Sequence, residues 1–374
     1  TSCSWNDPEP DAWTILIYMA ADNSLSDKAE ADIAEMMLTE IPDDVNVIVQ
    51  VDFSELSSSP EAKRLRIREN SQQQIANLGE IDSGSYQELS EFIAWGQQKY
   101  PAQRTALIIW SHGNGWLPGY NKFCPDNQSG NFIDLTQKEL SSALQNSNLA
   151  ADIIALDACN MMNVEVIEEV ADYTDYVLGS ERSIPAAGFP YSEILPHFWN
   201  FSQTEIISDR IIFSFVNSYM PFGSQNPYGD DLVVSGSVAK SSEYFLLREK
   251  LQEFAAVDYA PSEIDQLQNA RAHIEIEFND MRSDIDLKDY YTKLSQIASE
   301  PELSASAELI LSQIGATFVS QYFHDSDNLS YPAGSATIWW PDVADTYFNL
   351  LPLYSELNFA EQTGWDNFLN IFFE

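Results

Sequence analysis

The chain has 374 residues, with 18 Lys and Arg against 58 Asp and Glu, which gives a formal net charge of −40. Such a charge repels phosphate, so it excludes a general nucleic-acid binder and disfavours an acidic membrane surface. At 44% hydrophobic residues the chain can bury a large core, yet it has no apolar run of the length that a transmembrane helix needs. We therefore expect a folded acidic protein, a monomer, without nucleic acid as partner and without a transmembrane segment.

The first twelve residues form a polar leader that contains two prolines. Thr1 and Ser2 precede Cys3, and this start has two open interpretations: a trimmed chain, or a mature bacterial lipoprotein that has lost its signal peptide and carries lipid on Cys3. The second interpretation predicts an extracytoplasmic protein that is secreted, periplasmic or lipid-anchored at the cell surface. Three cysteines are too few for a disulfide framework.

Apolar runs of strand length alternate with helical segments along the first half of the chain. Ser-x-x-Asp or Ser/Thr-x-x-Glu patterns at Ser24, Ser85 and Thr136 predict helix N-termini between the strands. The predicted strands lie at 13–20, 45–51, 105–110, 152–156, 175–179 and 231–238, with a hairpin partner at 64–68. This alternation predicts a mostly parallel sheet with helices on both faces, that is, a three-layer α/β/α fold.

The pattern changes beyond about residue 200 and becomes mostly helical. Helices are predicted at 202–219, 241–257, 262–279, 285–299 and 302–316, followed by a late strand at 335–340. We therefore divide the chain into a leader at 1–12, an α/β domain at 13–240, and a helical C-terminal extension at 241–374, with the late strand at 335–340, that packs on that domain.

Two reactive side chains follow two of the predicted buried strands, and both would lie at the same edge of the sheet if these strands are neighbours. His112 lies two residues beyond Trp110, and Cys159 lies three residues beyond Leu156. Parallel strands end at the same edge of a sheet, where such folds place their ligands. A thiol with an imidazole in reach is the minimal unit for cysteine-based acyl transfer, and the N–H groups of Gly113 and Cys159 could stabilise the oxyanion.

Other interpretations of these residues are open at this point. A lone Cys after a buried strand is commonly inert, and a lone His is commonly structural. The turn at 111–115 is also similar to the oxyanion loop of a serine hydrolase, but the chain has no G-x-S-x-G nucleophile motif. Four tryptophans could stack on sugars, although their positions favour a core or a cleft wall: Trp110, Trp116, Trp339 and Trp340.

Four segments resemble the clostripain family of cysteine peptidases. The family's opening strand is similar to residues 13–25, and its histidine strand to residues 100–116, which include Trp-Ser-His-Gly-Asn-Gly-Trp. Its cysteine strand is similar to residues 156–162, Leu-Asp-Ala-Cys-Asn-Met-Met, and its tail to residues 335–369. The resemblance implies a caspase-like sandwich, with His112 as the catalytic histidine and Cys159 as the nucleophile.

The same resemblance implies roles for further residues. Asp157 matches the acid of the primary specificity pocket, which selects Arg or Lys before the scissile bond, although it could instead cap the strand end. Ser180 and Glu181 are expected to line the cleft. Some relatives mature by cutting between His and Cys after a basic residue, and Lys122 is then the expected cut site; an uncut loop is equally open. The chemistry needs no cofactor, and some relatives depend on calcium, but the sequence alone shows no metal ligands.

The sequence thus predicts a cysteine endopeptidase that cleaves after Arg, with Lys second, through a Cys–His dyad and a thioester acyl-enzyme. Its partners would be peptides or proteins with Arg or Lys before the scissile bond. The alternatives are a catalytically silent relative that binds peptides or glycans at the cell surface, and a serine esterase.

Overall fold

The computed structural model describes residues 11–57, 59–117, 122–272, 277–278, 283–325 and 335–373. The strands of the described residues are β1 (Asp11–Ala21), β2 (Val45–Phe53), β3 (Ala62–Arg68), β4 (Ser71–Gly79), β5 (Ala102–Trp110), β6 (Ala151–Asp157), β7 (Thr174–Gly179), β8 (Val233–Lys240), β9 (Glu277–Phe278), β10 (Asp284–Asp286), β11 (Phe318–Asp325) and β12 (Thr337–Trp339).

The helices of the described residues lie between and after these strands. They are α1 (Ser26–Met36), α2 (Tyr86–Lys99), α3 (Glu139–Asn146), α4 (Val164–Val170), α5 (Tyr191–Ile194), α6 (His197–Asn200), α7 (Thr204–Ser218), α8 (Ser241–Ala255), α9 (Pro261–Ala272), α10 (Leu287–Ile297), α11 (Pro301–Thr317), α12 (Ala344–Tyr354), α13 (Asn358–Thr363) and α14 (Trp365–Asn370).

The main sheet has the strand order β11-β8-β7-β6-β5-β1-β2-β3-β4. Its five central strands, from β7 to β2, run parallel, and the two strands at each end are antiparallel. Strands β9, β10 and β12 form a small antiparallel sheet beside it. The mostly parallel central sheet predicted from the sequence is confirmed.

Alternate residues of the central strands bury against opposite helical layers, as the two-residue period of a strand requires. On β1, Ile15 and Ile17 join a core formed with α1 and α5–α7, whereas Leu16 and Tyr18 join a core formed with α2–α4 and the C-terminal helices. These two layers give the predicted α/β/α sandwich. The four tryptophans named above are all buried, which fits a core role.

The C-terminal extension differs from its prediction in how it connects to the main sheet. It contributes β11 to the main sheet, where this strand pairs with β8, so residues 241–374 share a sheet with residues 13–240. Of the helix predicted at 262–279, the described part is α9 up to Ala272, residues 273–276 lie outside the described part of the chain, and Glu277–Phe278 form the strand β9 instead. The polar strand β4 was also missed, because an exposed edge strand lacks the apolar alternation that marks a half-buried one.

Candidate active site

The turn after β5 holds His112 at the carboxyl edge of the sheet. Two hydrogen bonds anchor it: the Ser111 hydroxyl donates to the Ala20 carbonyl oxygen at 2.7 Å, and the Ser111 N–H donates to the Asp157 carbonyl oxygen at 3.2 Å. The imidazole Nε2 lies 2.9 Å from Oγ of Ser24, and burial lowers the pKa of His112. His112 is therefore neutral at neutral pH and is able to accept a proton.

Cys159 follows the neighbouring strand, because Trp110 and Asp157 are paired in the register of β5 and β6. Its Sγ accepts the Ile184 N–H at 3.3 Å and lies 3.6 Å from the Ile184 carbonyl oxygen. Burial raises the pKa of the thiol, and the charge of Asp157 raises it further, while the Ile184 N–H lowers it. The resting side chain is therefore a protonated thiol.

Gly113 allows the histidine turn to approach Cys159 closely. A Cβ atom at this position would lie 2.7 Å from the Cys159 carbonyl oxygen and 3.0 Å from Cβ of Ala158, so a larger residue would force the two loops apart. Among the described residues, no hydrogen bond joins His112 to Cys159: the imidazole contacts Ser24 and the thiol contacts Ile184.

A pocket of about 160 Å³ opens between these two loops. Its walls are mostly apolar, and its lining includes both reactive residues together with the acid at the end of β6. The lining residues are Leu25, Trp110, Ser111, His112, Asp157, Ala158, Cys159, Ile184, Pro185, Ala186 and Gly188.

The Asp157 carboxylate lies at the floor of this pocket and is only 3% exposed. Its Oδ2 accepts the Phe189 N–H at 3.1 Å and the Tyr191 hydroxyl at 3.0 Å. Burial outweighs these two bonds and raises the pKa of Asp157 to about 7. Gly188 (φ +62°) keeps the floor open, since a Cβ there would lie 3.0 Å from the carboxylate.

A second acid, Asp32, lies behind Asp157 and was missed in the sequence. It is buried on α1, where its Oδ2 accepts the Trp110 indole N–H at 2.8 Å. Burial and the charge of Asp157 raise the pKa of Asp32 to about 9, so Asp32 is protonated at neutral pH. The sequence does contain an indication of this acid, because Asp32 lies between the apolar residues Ala29 and Ile33 on the face of α1 that is buried.

The statistical model of the clostripain family, a peptidase family, matches residues 17–372. The chain belongs to the clostripain family. A clostripain-family member is a cysteine-type endopeptidase, and a thiol and an imidazole that line one pocket agree with that class. No curated protein matches the sequence significantly.

Solved structures share the fold over nearly the whole chain. A secreted C11 cysteine protease from Bacteroides thetaiotaomicron, solved with an irreversible peptide inhibitor, is 22% identical; the match covers 95% of this chain and 99% of that one, with a TM-score of 0.73. An inactive zymogen C11 protease from Parabacteroides distasonis is 24% identical, covers 96% and 99%, and has a TM-score of 0.70. Both likenesses concern the fold.

Ser180 and Glu181 do not line the pocket, contrary to the sequence expectation. The chain after β7 passes beneath the Cys159 loop, where the Ser180 carbonyl oxygen accepts the Met162 N–H at 2.9 Å. The Ser180 hydroxyl lies 3.3 Å from that of Ser235. Glu181 is buried beside Asp286, and burial and that neighbouring carboxylate raise its pKa.

Lys122 lies in the loop after the His112 turn, directly beyond residues 118–121, which are outside the described part of the chain. It is half-buried, with Nζ 3.9 Å from the centroid of the Phe132 ring. Lys138 instead forms an ion pair with Glu361 at 2.6 Å, next to α3.

Cys3 lies outside the described residues. Among the described residues of this family member, no helix is long and apolar enough to cross a membrane.

The raised pKa of Cys159 predicts how its thiol reacts with iodoacetamide. Because only the thiolate reacts, we expect the alkylation rate to rise about tenfold per pH unit from pH 6 to 8. Peptide-level mass spectrometry would measure it, with Cys159→Ala correcting for Cys3; Cys124 is fully buried. A rate independent of pH in this range would show a pre-formed thiolate and contradict the resting state described above.

Proposed function

We propose that this clostripain-family member is an endopeptidase that cleaves after Arg, with Lys second, through Cys159 and His112. One observation carries the proposal: the thiol, the imidazole and the carboxylate of Asp157 all line a single small pocket at the carboxyl edge of the sheet. Peptide or protein substrates would place their basic side chain on Asp157 and their scissile carbonyl beside Cys159.

The resting protonation states support His112 as the group that takes the first proton. Neutral His112 removes the proton of the Cys159 thiol as the sulfur attacks the carbonyl carbon, which requires the imidazole to leave Ser24 and the thiol to leave Ile184. The N–H groups of Gly113 and Cys159 stabilise the tetrahedral oxyanion. His112 then protonates the departing amine, leaving a thioester, and a water molecule that loses its proton to His112 hydrolyses it. No cofactor takes part in these steps.

The pocket floor supports selection of a basic side chain. With Asp32 protonated, Asp157 is the carboxylate of the pocket lining that can carry a charge, and a guanidinium would pair with it through two parallel hydrogen bonds. Lysine offers one ammonium in place of that planar fork, so we place it second. A neutral side chain would leave the charge of the buried carboxylate without an ionic partner, which opposes its binding.

A panel of fluorogenic peptides ending in Arg, Lys, Asp or Asn tests the specificity. We expect turnover of the Arg peptide, slower turnover of the Lys peptide, and none of the other two. Turnover of the Asp or Asn peptide alone would keep the dyad and overturn the role of Asp157. Inhibition by serine-directed but not thiol-directed reagents would favour the esterase alternative.

His112 contacts Ser24 and Cys159 contacts Ile184, and the two side chains are not hydrogen-bonded to each other. This arrangement also fits a protein that is inactive in its resting state. The second candidate function is that of a catalytically silent relative that binds peptides. Under our own proposal, the same observation is explained if the protein is a zymogen that becomes active after cleavage. One structure with this fold is that of an inactive zymogen. The two are separated by whether cutting the loop at Lys122 produces activity.

Lys122→Ala tests maturation by cleavage after Lys122. If the protein matures there, the unmodified chain yields two fragments on a denaturing gel after incubation, whereas Lys122→Ala stays intact and gains at most a few per cent of the activity. Lys138→Ala is the matched control and should still be cut, because Lys138 is held beside α3 by its ion pair with Glu361. Two fragments from Lys122→Ala would reject Lys122 as the cut site.

We also propose an extracytoplasmic, monomeric protein. The Bacteroides thetaiotaomicron structure reported above is described as that of a secreted protease, which supports the location. Metabolic labelling with a palmitate analogue, compared between the unmodified protein and Cys3→Ser, would test lipid attachment in the full-length precursor, and gel filtration would test the oligomeric state.

A further inference from the structure

The loop between α7 and β8, residues 219–232, exposes three large apolar side chains. Met220, Phe222 and Tyr228 are 45%, 79% and 86% exposed. The last two lie close together, because the Phe222 ring covers Gly229, where a Cβ atom would lie 3.0 Å from its Cζ atom. Single exposed apolar residues are common on a protein surface, but a group of them in one loop is typical of a surface that binds a ligand.

The backbone of this loop holds Phe222 in a conformation that bulky residues rarely adopt. Its φ of +66° lies in the left-handed region, where a residue with a Cβ atom is strained. The Phe222 N–H donates to the Asn226 carbonyl oxygen at 3.0 Å, and the buried Asn226 side-chain amide donates to the carbonyl oxygens of Tyr219 at 3.0 Å and Asp230 at 2.9 Å. Strain that the surroundings maintain in this way is typical of binding sites. The loop therefore has a fixed shape that turns this ring outward.

The loop is bonded directly to the wall of the active-site pocket. The Tyr219 hydroxyl donates to the Gly188 carbonyl oxygen at 2.7 Å, and the Gln225 side-chain amide donates to the Ala187 carbonyl oxygen at 3.4 Å. Residues 184–186 and Gly188 line the pocket. The surface that carries the exposed rings is therefore a continuation of the pocket wall.

The strand order places this loop on the side of Cys159 that faces away from His112. His112 follows β5, Cys159 follows β6 and residues 184–188 follow β7; β8 runs antiparallel to β7, so the loop before β8 lies at the same edge of the sheet. Neighbouring strands lie about 4.8 Å apart, so two spacings separate β6 and β8 by about 10 Å. An extended peptide covers this distance with about three residues, at about 3.3 Å per residue.

The proposed chemistry determines which half of a substrate lies on this side. His112 protonates the departing amine, so the residues after the scissile bond lie on the side of His112. The residues before the basic side chain then extend in the opposite direction, over residues 184–188 and toward Phe222 and Tyr228.

We propose that Phe222 and Tyr228 form a second substrate subsite, which binds a large apolar side chain two or three residues before the basic residue. This inference rests on the proposed function, because its ligand is a peptide whose Arg or Lys occupies the Asp157 pocket. Two aromatic rings favour a leucine or an aromatic side chain, which leaves water on binding. The exposed carboxylates that follow in the loop, Asp230 and Asp231, disfavour an acidic one.

The variant Cys159→Ala binds peptides without cutting them, so it tests the subsite by affinity. Three labelled peptides with a single Arg differ only at the second and third positions before it, which are both Leu, both Ser or both Asp. Fluorescence anisotropy should give an affinity about tenfold higher for the Leu peptide than for the Ser peptide, and the lowest affinity for the Asp peptide. Equal affinities for the Leu and Ser peptides, or no binding of any of the three, overturn the proposal.

Further variants in the same background locate the subsite. Phe222→Asn suits the positive φ and removes one ring, and Tyr228→Ser removes the other. Each should lose part of the preference for Leu over Ser, and both together should reduce it to roughly twofold or less, whereas Tyr228→Phe should keep it. Leu309→Gln is the matched control and should keep the preference, since Leu309 is 62% exposed on α11, outside the loop. A preference that survives both single substitutions and their combination overturns the site.

Cleavage by the unmodified protein distinguishes this proposal from the proposed function. Fluorogenic versions of the three peptides, with the reporter directly after Arg, give kcat/KM, which should follow the same order. Equal cleavage of the Leu and Ser peptides that is lost in Cys159→Ala would support the proposed function and overturn the subsite. Preferential binding of the Leu peptide without cleavage would support the subsite and overturn cleavage as the function.

Discussion

Cys159→Ala is expected to lower the turnover of an Arg peptide by about 10⁴-fold or more, since loss of the nucleophile removes the covalent route entirely. His112→Ala should lose a similar amount because the thiol is protonated at rest and needs a base. The double variant should be no worse than either single one, because the two groups act as a unit. Initial rates at saturating and limiting substrate would give kcat and kcat/KM for each protein.

Cys124→Ala is the matched control for this loss. Cys124 is fully buried in the core on the side of α2 and α3 and lies outside the pocket, so its variant should keep the activity even if it melts at a lower temperature. Cys159→Ala with more than about one hundredth of the original activity would show that another group performs the attack. Melting temperatures of all the variants would separate lost chemistry from lost folding.

Asp157→Asn should lower kcat/KM for an Arg peptide by roughly 10²- to 10³-fold, since a guanidinium would lose its buried charge partner. The neutral amide can still accept the bonds from Phe189 and Tyr191, so we expect the melting temperature to be maintained. The rate with a peptide that carries a neutral residue before the scissile bond should fall far less or rise. Measured kcat/KM values for the Arg peptide and for its Gln counterpart give this ratio directly.

The pH dependence of the same reaction follows from the raised pKa of Asp157. Burial raises it to about 7 in the empty pocket, so the group is uncharged below pH 7 and charged above it. A cationic substrate needs the charged form, and kcat/KM for the Arg peptide should therefore rise between pH 6 and 8. Asp157→Asn should lose this rise. Its kcat/KM should change with pH only where His112 titrates, which is at lower pH because burial lowers the pKa of the imidazole.

Variants of two other acids, Asp152 and Glu181, test whether the preference for Arg depends on Asp157 in particular. Asp152 lies on the same strand as Asp157 but accepts the Thr105 N–H at 2.9 Å, and Glu181 lies outside the pocket beside Asp286. The variants are Asp152→Asn and Glu181→Gln. Neither variant should change the preference for Arg over Gln. A change in preference with Glu181→Gln equal to that with Asp157→Asn would contradict the placement of Glu181 and would restore the role that the sequence suggested for it.

The central strands and the pocket residues at their ends could be predicted from the sequence for one physical reason. Strands buried on both faces require long apolar runs, and parallel strands bring the residues that follow those runs to the same edge. His112, Asp157 and Cys159 therefore converge without any tertiary information. Strand β11 was missed because its residues follow α11 directly and lie at the edge of the sheet, where half of the surface is exposed.

The remaining pocket features depend on contacts that local patterns do not encode. Ser24 starts a capping motif, yet it contacts His112, and α1 begins at Ser26 without a side-chain cap. Asp32 comes from a segment far from Asp157 in the chain. Glu181 follows a strand, as His112 and Cys159 do, but the chain there turns under the Cys159 loop.

Covalent capture at Cys159 tests the central claim most directly. The unmodified protein is incubated with equal concentrations of two peptidyl chloromethyl ketones that differ only in Arg or Glu at the reactive end, and the adducts are mapped by mass spectrometry. We predict a single adduct, on Cys159, with the Arg reagent, and far slower labelling with the Glu reagent or in Asp157→Asn. Equal labelling by both reagents, or an adduct on another residue, would contradict a thiol nucleophile that acts above an acidic specificity pocket.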